Sequence, residues 1–362
     1  MIFLTGGTGA IGGPLVDALT EDPAPVFLLA REPSLANRPG ITPIKGNIVE
    51  RNALGMTSAY AAFVRANVTT IIHAAAMTRF DATLDVARRV NVEGTRNVLE
   101  FAATCPRLER ICALSTIYVA GRRTGLIGES DLDHSCGFVN AYEQSKFEEE
   151  QLLRERMPRL PIVVCRLSTV LGDSTHGTVR RLAAIHHAIR FLYHSLLPMI
   201  PGSPDSPVDL ISTDYAVSAV RHLSTAGFVP GRTFHICAGD ETVSEDELID
   251  LVIEAFLRYR PAWRRRRIEK PAIVELETFE LFRQSVEAVA DQGLRAPVAV
   301  LGHFAPQLAY PKRFSDEGCR SALRAAGIVR PSIRQTATKV IEYLIAHNWG
   351  GVVNGIVEGA AR

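Results

Sequence analysis

Met1-Ile2-Phe3-Leu4-Thr5-Gly6-Gly7-Thr8-Gly9-Ala10-Ile11-Gly12 opens the chain. A short apolar run ends in a glycine-rich turn, and a helical pattern follows from Ala10 to Leu19. The order predicts strand, turn and helix. Gly6, Gly9 and Gly12, at three-residue spacing, let backbone N–H groups at a helix N-terminus approach a pyrophosphate with no Cβ in the way. Gly6, Thr8, Gly9, Ala10, Ile11 and Gly12 are therefore the expected dinucleotide-phosphate residues. The run begins at Met1, so nothing is expected before the first strand, and no signal peptide.

Outward from this turn, apolar runs alternate with helical patterns. Strands are predicted at Ile2–Thr5, Val26–Ala30, Thr42–Lys45, Thr70–Ala74, Ile111–Ser115 and Pro161–Arg166. Helices are predicted at Ala10–Leu19, Thr57–Ala66, Ala82–Ala103 and Ala141–Arg156. This alternation argues for a parallel sheet with right-handed crossovers. The expected fold is α/β: a Rossmann-type doubly wound parallel sheet with a smaller, mostly helical C-terminal substrate-binding region. Residues 1–172 form the expected nucleotide-binding core and 173–362 the C-terminal region, with about 208–240 returning to the core.

In that second half, Thr178–Leu197 reads as helix, Val208–Ser212 and Thr233–Cys237 as strands, and Tyr215–Ser224 as a helix capped by Ser212, Thr213 or Asp214. Ser244 followed by Glu247 reads as a capping box opening a helix to Tyr259. Pro331–Asn348 reads as a last helix, while Pro261–Arg313 gives little signal.

The 362 residues carry a net charge of +1, so no overall field favours nucleic acid or an acidic membrane. The run Arg264–Arg267 reads as a solvated surface turn or helix end. Six cysteines form no CxxC pair and none lies near a histidine at zinc-ligand spacing, which points to a reducing, cytoplasmic compartment and no metal site. No segment reaches 18 uninterrupted apolar residues. His186-His187 lacks a third ligand, and Ser115 has no Gly-x-Ser-x-Gly elbow.

Three further features carry chemistry. Arg31 follows the second strand, nineteen residues after Gly12, where a ribose discriminator is expected. An arginine there accommodates the 2′-phosphate of NADP, although a small register shift would bring in Glu32 and NAD. Tyr142 and Lys146, four apart on a helix, share a face, so the ammonium can lower the phenol pKa. Ser115-Thr116 ends the fifth strand, where a hydroxyl can orient a substrate carbonyl toward Tyr142.

With these residues the chain resembles the extended short-chain dehydrogenase/reductase family, from Met1 to about Gly239. The resemblance rests on TGGTGAIG at 5–12, His73-Ala74-Ala75-Ala76, the Asn91–Leu99 segment, Ser115-Thr116…Gly121, Tyr142–Lys146 and Arg166–Gly172. It implies Tyr142 as acid/base, Lys146 on the nicotinamide ribose, and Asn91 continuing a proton relay through water. Counted back from Gly121, Thr116 rather than Ser115 falls at the family's hydroxyl position. Asn47 stands where the family commonly has Asp near the adenine, followed by Ile48. Ala74 and Ala75 follow strand four, and Leu167–Leu171, with Leu167 and Thr169, would line the nicotinamide and substrate pocket. His73 is implied to be structural.

Within the family, Ala141–Glu148, Leu171–Ser174 and Ser115–Gly121 look most like thioester and fatty-acyl reductase domains. That likeness implies NADPH, an acyl-thioester substrate and an acyl carrier protein as partner. Two other readings stand beside it: an NAD-dependent nucleotide-sugar epimerase or dehydratase, and an enzyme acting on a free ketone, aldehyde or alcohol. A non-catalytic dinucleotide sensor is disfavoured because Tyr142 and Lys146 are both present. A monomer or homodimer is expected.

Overall fold

A computed structural model describes residues 1–36, 39–259, 269–289 and 292–351. Seven parallel strands form the central sheet: β1 (Ile2–Thr5), β2 (Val26–Ala30), β3 (Ile41–Lys45), β4 (Thr70–His73), β5 (Arg110–Thr116), β6 (Ile162–Leu167) and β7 (Thr233–Ile236). Their spatial order is β3-β2-β1-β4-β5-β6-β7. The order reverses beside β1, which pairs with both β2 and β4. A crevice outside the carboxyl ends of strands at such a reversal is where open α/β sheets bind ligands.

Alternation within the strands feeds two cores. Ile2 and Leu4 pack with Leu15 and Leu19 of α1 (Gly12–Leu19) and Val220 of α7 (Thr213–Ser224). Phe3 points the other way, among Val64 of α2 (Ser58–Asn67), Val98 of α4 (Gly94–Ala102) and Leu153 of α5 (Ala141–Arg156). Burial on both faces explains the near-continuous apolar runs.

The helix expected over 82–103 is instead α3 (Leu84–Arg88), a π-helical turn at Arg89–Glu93, and α4. Such a turn inserts a residue and re-aims side chains; here it carries Asn91. The helix expected over 178–197 is shorter, α6 (Ala184–Tyr193), because 178–183 run as irregular cavity wall. His186 sets its start: Nδ1 accepts from the Ala183 N–H, and Nε2 lies 2.7 Å from the Leu171 carbonyl. Burial holds this imidazole at about 4, so it is neutral. Ser212 is the residue that caps α7, and Ser244 accepts from the Glu247 N–H.

The C-terminal part has its own core. It gathers α6, α8 (Glu245–Tyr259), α9 (Leu276–Val289), α10 (Gln292–Gly302) and α12 (Ile333–Ala346) around Phe256, Leu301 and Val340. Short strand pairs stitch it to the rest: Thr169–Gly172 with Leu210–Ser212, and Gly125–Ile127 with Lys312–Phe314. Cys319 and Leu323 of α11 (Glu317–Ala325) also join the core of the sheet. Arg264–Arg267 lie outside the described residues. All six cysteines are free; the Cys112 and Cys165 sulfurs, 3.7 Å apart, are in hydrogen-bond contact. Among the described residues no helix is long and apolar enough to cross a membrane, and no cluster of three metal-ligating side chains occurs.

Candidate active site

The glycines of the opening turn are required sterically. Gly6 has φ +78°, and a Cβ there would overlap the backbone of Ala74 and Ala75. A Cβ on Gly12 would overlap the Gly6 carbonyl. Gly9 differs, since an added Cβ would meet only the Gly6 oxygen, so its other side faces open space. Helix α1 has no side-chain cap and no acidic residue in its first turn. Gly13 and Leu15 donate to the carbonyls of Gly9 and Ile11 and Pro14 has no N–H, so what the helix offers an anion is its positive dipole end, free of acidic side chains. A cradle shaped by absent Cβ atoms below an uncapped helix fits a dinucleotide pyrophosphate.

One cavity of about 1410 Å³ runs from this turn into the C-terminal part. Gly6, Thr8, Gly9, Ala10, Ile11, Gly12, Arg31, Asn47, Ile48, Ala74, Ala75, Leu167 and Thr169 all line it, as do Thr116, Tyr142 and Lys146. Arg31 lines its nucleotide end and Glu32 does not. The Asn47 side chain accepts from the Val49 N–H, shaping the loop after β3.

Asn91 is fully buried and away from the cavity wall. It exchanges hydrogen bonds with the Met77 backbone at 2.7 and 3.1 Å and donates to Ser145 Oγ at 2.8 Å. Asn91 thus ties the π-turn to the strand-four loop and to α5, and both its amide hydrogens are spent.

Thr116 and Ser115 separate cleanly. The Ser115 hydroxyl donates to Glu150 Oε1 at 2.5 Å. Thr116, at the strand end, lies near enough to the Tyr142 phenol to pull its pKa down, and accepts from the Tyr118 N–H. Phe80 meets the Tyr142 ring edge-on at 5.4 Å and Phe304 at 6.4 Å, so aromatic rings wall off the phenol. Tyr118, also on the cavity, bonds Thr169 Oγ1 at 2.7 Å, and burial pushes its phenol up to about 12.

Lys146 corrects one expectation. Its ammonium is 2% exposed and donates to the Leu114 carbonyl at 2.9 Å and to Glu149 Oε2 at 2.5 Å. With that charge neutralised at source, the Tyr142 phenol is held above its ordinary value, by burial first, and Glu149 adds to the rise. The expected depression of the phenol by Lys146 is absent because a carboxylate stands between the two effects. Glu149 itself is pushed up to about 7 by burial against the pull of Lys146.

From Glu149 a buried polar chain leads back to the opening turn. Thr95, close enough to Glu149 to lower its pKa slightly, lies 2.9 Å from His73 Nε2. His73 Nδ1 is 2.8 Å from Thr5 Oγ1, which accepts from the Ala75 N–H. Burial keeps His73 neutral, at about 3. The structural role expected for His73 is visible in these two bonds. Glu149, Phe80 and Phe304 were invisible to motif spacing; the only sequence signal for Glu149 is an acid one turn beyond Lys146 on the same face.

Comparisons with known proteins agree with this geometry. The family model described as male sterility protein, an NAD-binding family, matches residues 34–220. A non-canonical nonribosomal peptide synthetase of Aspergillus hancockii is 26% identical over 267 residues, covering 65% of this chain and 26% of its own length. A putative fatty acyl-CoA reductase of Drosophila melanogaster is 26% identical over 277 residues, covering 60% of this chain and 50% of its own length. The chain thus spans a quarter to a half of these relatives. Among solved structures, the terminal R domain from the myxalamid PKS-NRPS biosynthetic pathway superposes with a TM-score of 0.80 at 23% identity, over 96% of this chain and 91% of that one.

Proposed function

The chain belongs to the male sterility protein family of extended short-chain dehydrogenases/reductases, NAD(P)-dependent enzymes, and on that premise we propose that it reduces acyl thioesters with NADPH. The observation that carries the reading is one continuous cavity. It holds the pyrophosphate cradle, then Thr116, Tyr142 and Lys146, then a long arm walled by Ile189, Leu192, Ile249, Val252 and Val300. That arm suits an aliphatic acyl chain.

A bound NADPH supplies the hydride. Thr116 and Tyr142 orient the thioester carbonyl by hydrogen bonds, and these strengthen as charge builds on its oxygen. The Tyr142 phenol, kept protonated by burial, gives its proton to that oxygen. In this reading Lys146 holds the ribose hydroxyls beside Tyr142. Breakage of the C–S bond leaves an aldehyde and a thiol, and a second reduction gives an alcohol. The thiol is coenzyme A or an acyl carrier protein. Arg31 on the nucleotide end favours NADPH over NADH through its fork of donors. In this reading residues 1–172 hold the cofactor and 173–362 supply most of the substrate arm. Six free cysteines fit a reducing, cytoplasmic setting.

The test follows nicotinamide absorbance with NADPH and NADH against acyl thioesters, aldehydes, ketones and nucleotide sugars. Turnover of thioesters with NADPH is expected. Tyr142→Phe should lower kcat by about 10²–10⁴-fold while NADPH still binds. Arg31→Ala should raise the KM for NADPH by roughly 10–100-fold and leave that for NADH nearly unchanged. Near-normal turnover by the Tyr142 variant would overturn the mechanism.

A further inference from the structure

Inside the apolar arm two polar side chains have no protein partner. Glu245, the first residue of α8, is 2% exposed, and neither carboxylate oxygen receives a hydrogen bond. The amide oxygen and nitrogen of Gln307 are likewise buried and unbonded. These are four of the six such side-chain atoms among the described residues, and both residues line the same cavity. A buried polar group in a native fold is ordinarily bonded, so two exceptions along one cavity point to a ligand.

The surroundings hold both groups in place. Glu245 is anchored by its N–H to the Ser206 carbonyl, and its carboxylate sits over Gly202, where a Cβ would overlap it. Gly202 follows the strand Met199–Pro201, and the turn Ala305–Ala309 that bears Gln307 packs on that strand. Gln307 donates its backbone N–H to the carbonyl of Phe304, the outer ring of the Tyr142–Phe80–Phe304 series. Both residues are thus tied to the C-terminal part of the cavity, on the side of Phe304 and the strand Met199–Pro201. Burial pushes the Glu245 carboxyl up to about 8; the nearby Ser203 amide pulls the other way without meeting hydrogen-bond geometry.

We propose that Glu245 and Gln307 form a subsite for a hydroxyl group carried on the distal part of an otherwise aliphatic acyl substrate. A hydroxyl is the small group that both donates and accepts, as a set holding acceptor oxygens and an amide donor requires. It donates to an oxygen of the Glu245 carboxyl group or to the Gln307 carbonyl, and accepts from the Gln307 amide. An ammonium would leave the Gln307 N–H groups unmet, and a plain alkyl end would leave every atom unmet. The proposal rests on the thioester reading for the identity of the reacting end, but not for the subsite itself.

Two measurements keep the two readings apart. The first is calorimetric binding of decanoic, 10-hydroxydecanoic and 10-aminodecanoic acids, and of their eight- and twelve-carbon counterparts, to the NADP-bound protein. The hydroxy acid should bind at least about tenfold tighter than the plain acid at one chain length. Gln307→Leu and Glu245→Leu should erase or reverse that preference; Glu245→Gln, closer in shape, serves should the leucine variant fail to fold. The second is kcat/KM for the matching N-acetylcysteamine thioesters with NADPH, where the same order should appear. The plain acid binding as tightly as the hydroxy acid at every length, or the variants weakening both alike, would overturn the subsite. Tighter binding by the amino acid would replace hydroxyl by ammonium. A hydroxyl preference in binding with no thioester turnover would leave the subsite standing and defeat the reading of the reaction.

Discussion

Lys146 and Glu149 sit one turn apart on α5, both almost wholly buried, with their charges in direct contact. A lysine meant to depress a neighbouring phenol works through uncompensated positive charge, and the Glu149 carboxylate cancels much of that charge in a medium that screens little. The consequence is that the Tyr142 phenol stays protonated, as a proton donor to a carbonyl requires. Glu149→Gln keeps the shape and removes the negative charge. The Tyr142 phenol should then titrate lower, and the alkaline limb of kcat for reduction should move to lower pH by on the order of one unit. A purely structural role would change kcat at all pH values alike and leave the limb where it was. The pH profile of single-turnover reduction decides between them.

At the level of elements, one buried network clamps α5 to the sheet behind the site. Glu150 on α5 receives three hydrogen bonds from the Arg166 guanidinium on β6, at 2.8 to 3.0 Å, and one from Ser115 on β5. Arg166 also reaches His235 on β7 and the Asp131 carbonyl. Both partners are 1% exposed, so neither charge has water to fall back on. Arg166→Leu strands the Glu150 carboxylate and should cost about 3–5 kcal/mol in chemical denaturation. A loss below about 1 kcal/mol would show that the carboxyl takes a proton and the clamp is dispensable. Much of this element-level order is readable from sequence, because strand-turn-helix units obey local rules: the Gly6–Gly12 turn, the apolar strands and the Tyr142–Lys146 spacing are all set within a few residues. Glu149, Phe80 and Gln307 were not readable. Their roles come from partners that are close only after the sheet and the C-terminal helices have packed. The stretch before Arg313 gave little periodicity because α10 lies against the cavity as well as the core, and its apolar residues follow no single stripe.

Across the whole molecule, buried ionisable groups of two kinds oppose each other in pH. His73, His186 and His235 are held by burial at about 3, 4 and 4, below the ordinary 6.5. Unfolding lets them take up protons, so their effect is rising stability as pH climbs from about 4 to 6.5. Glu143, Glu149 and Glu245 are raised by burial to about 7, 7 and 8, above the ordinary 4.5. The folded chain keeps protons that the unfolded chain releases, so their contribution is complete below about 4.5 and is lost as pH rises through 7 and 8. The two tendencies offset each other between about 4.5 and 6.5. Above 6.5 the histidines no longer contribute, and the acids are opposed only by the Met1 ammonium, lowered by burial, and by Lys312, lowered by burial to about 8, as it begins to release its proton. Stability should therefore be nearly level from pH 5 to 6.5 and decline from 6.5 to 7.5, measured as denaturation midpoints at fixed ionic strength. Glu245→Gln removes one of the three acids and should flatten the decline by about a third or more, since its proton is held highest. A midpoint that rises from pH 6.5 to 7.5 would mean that these acids are ionised in the fold. The Glu245 subsite would then present a carboxylate rather than a carboxylic acid to its ligand.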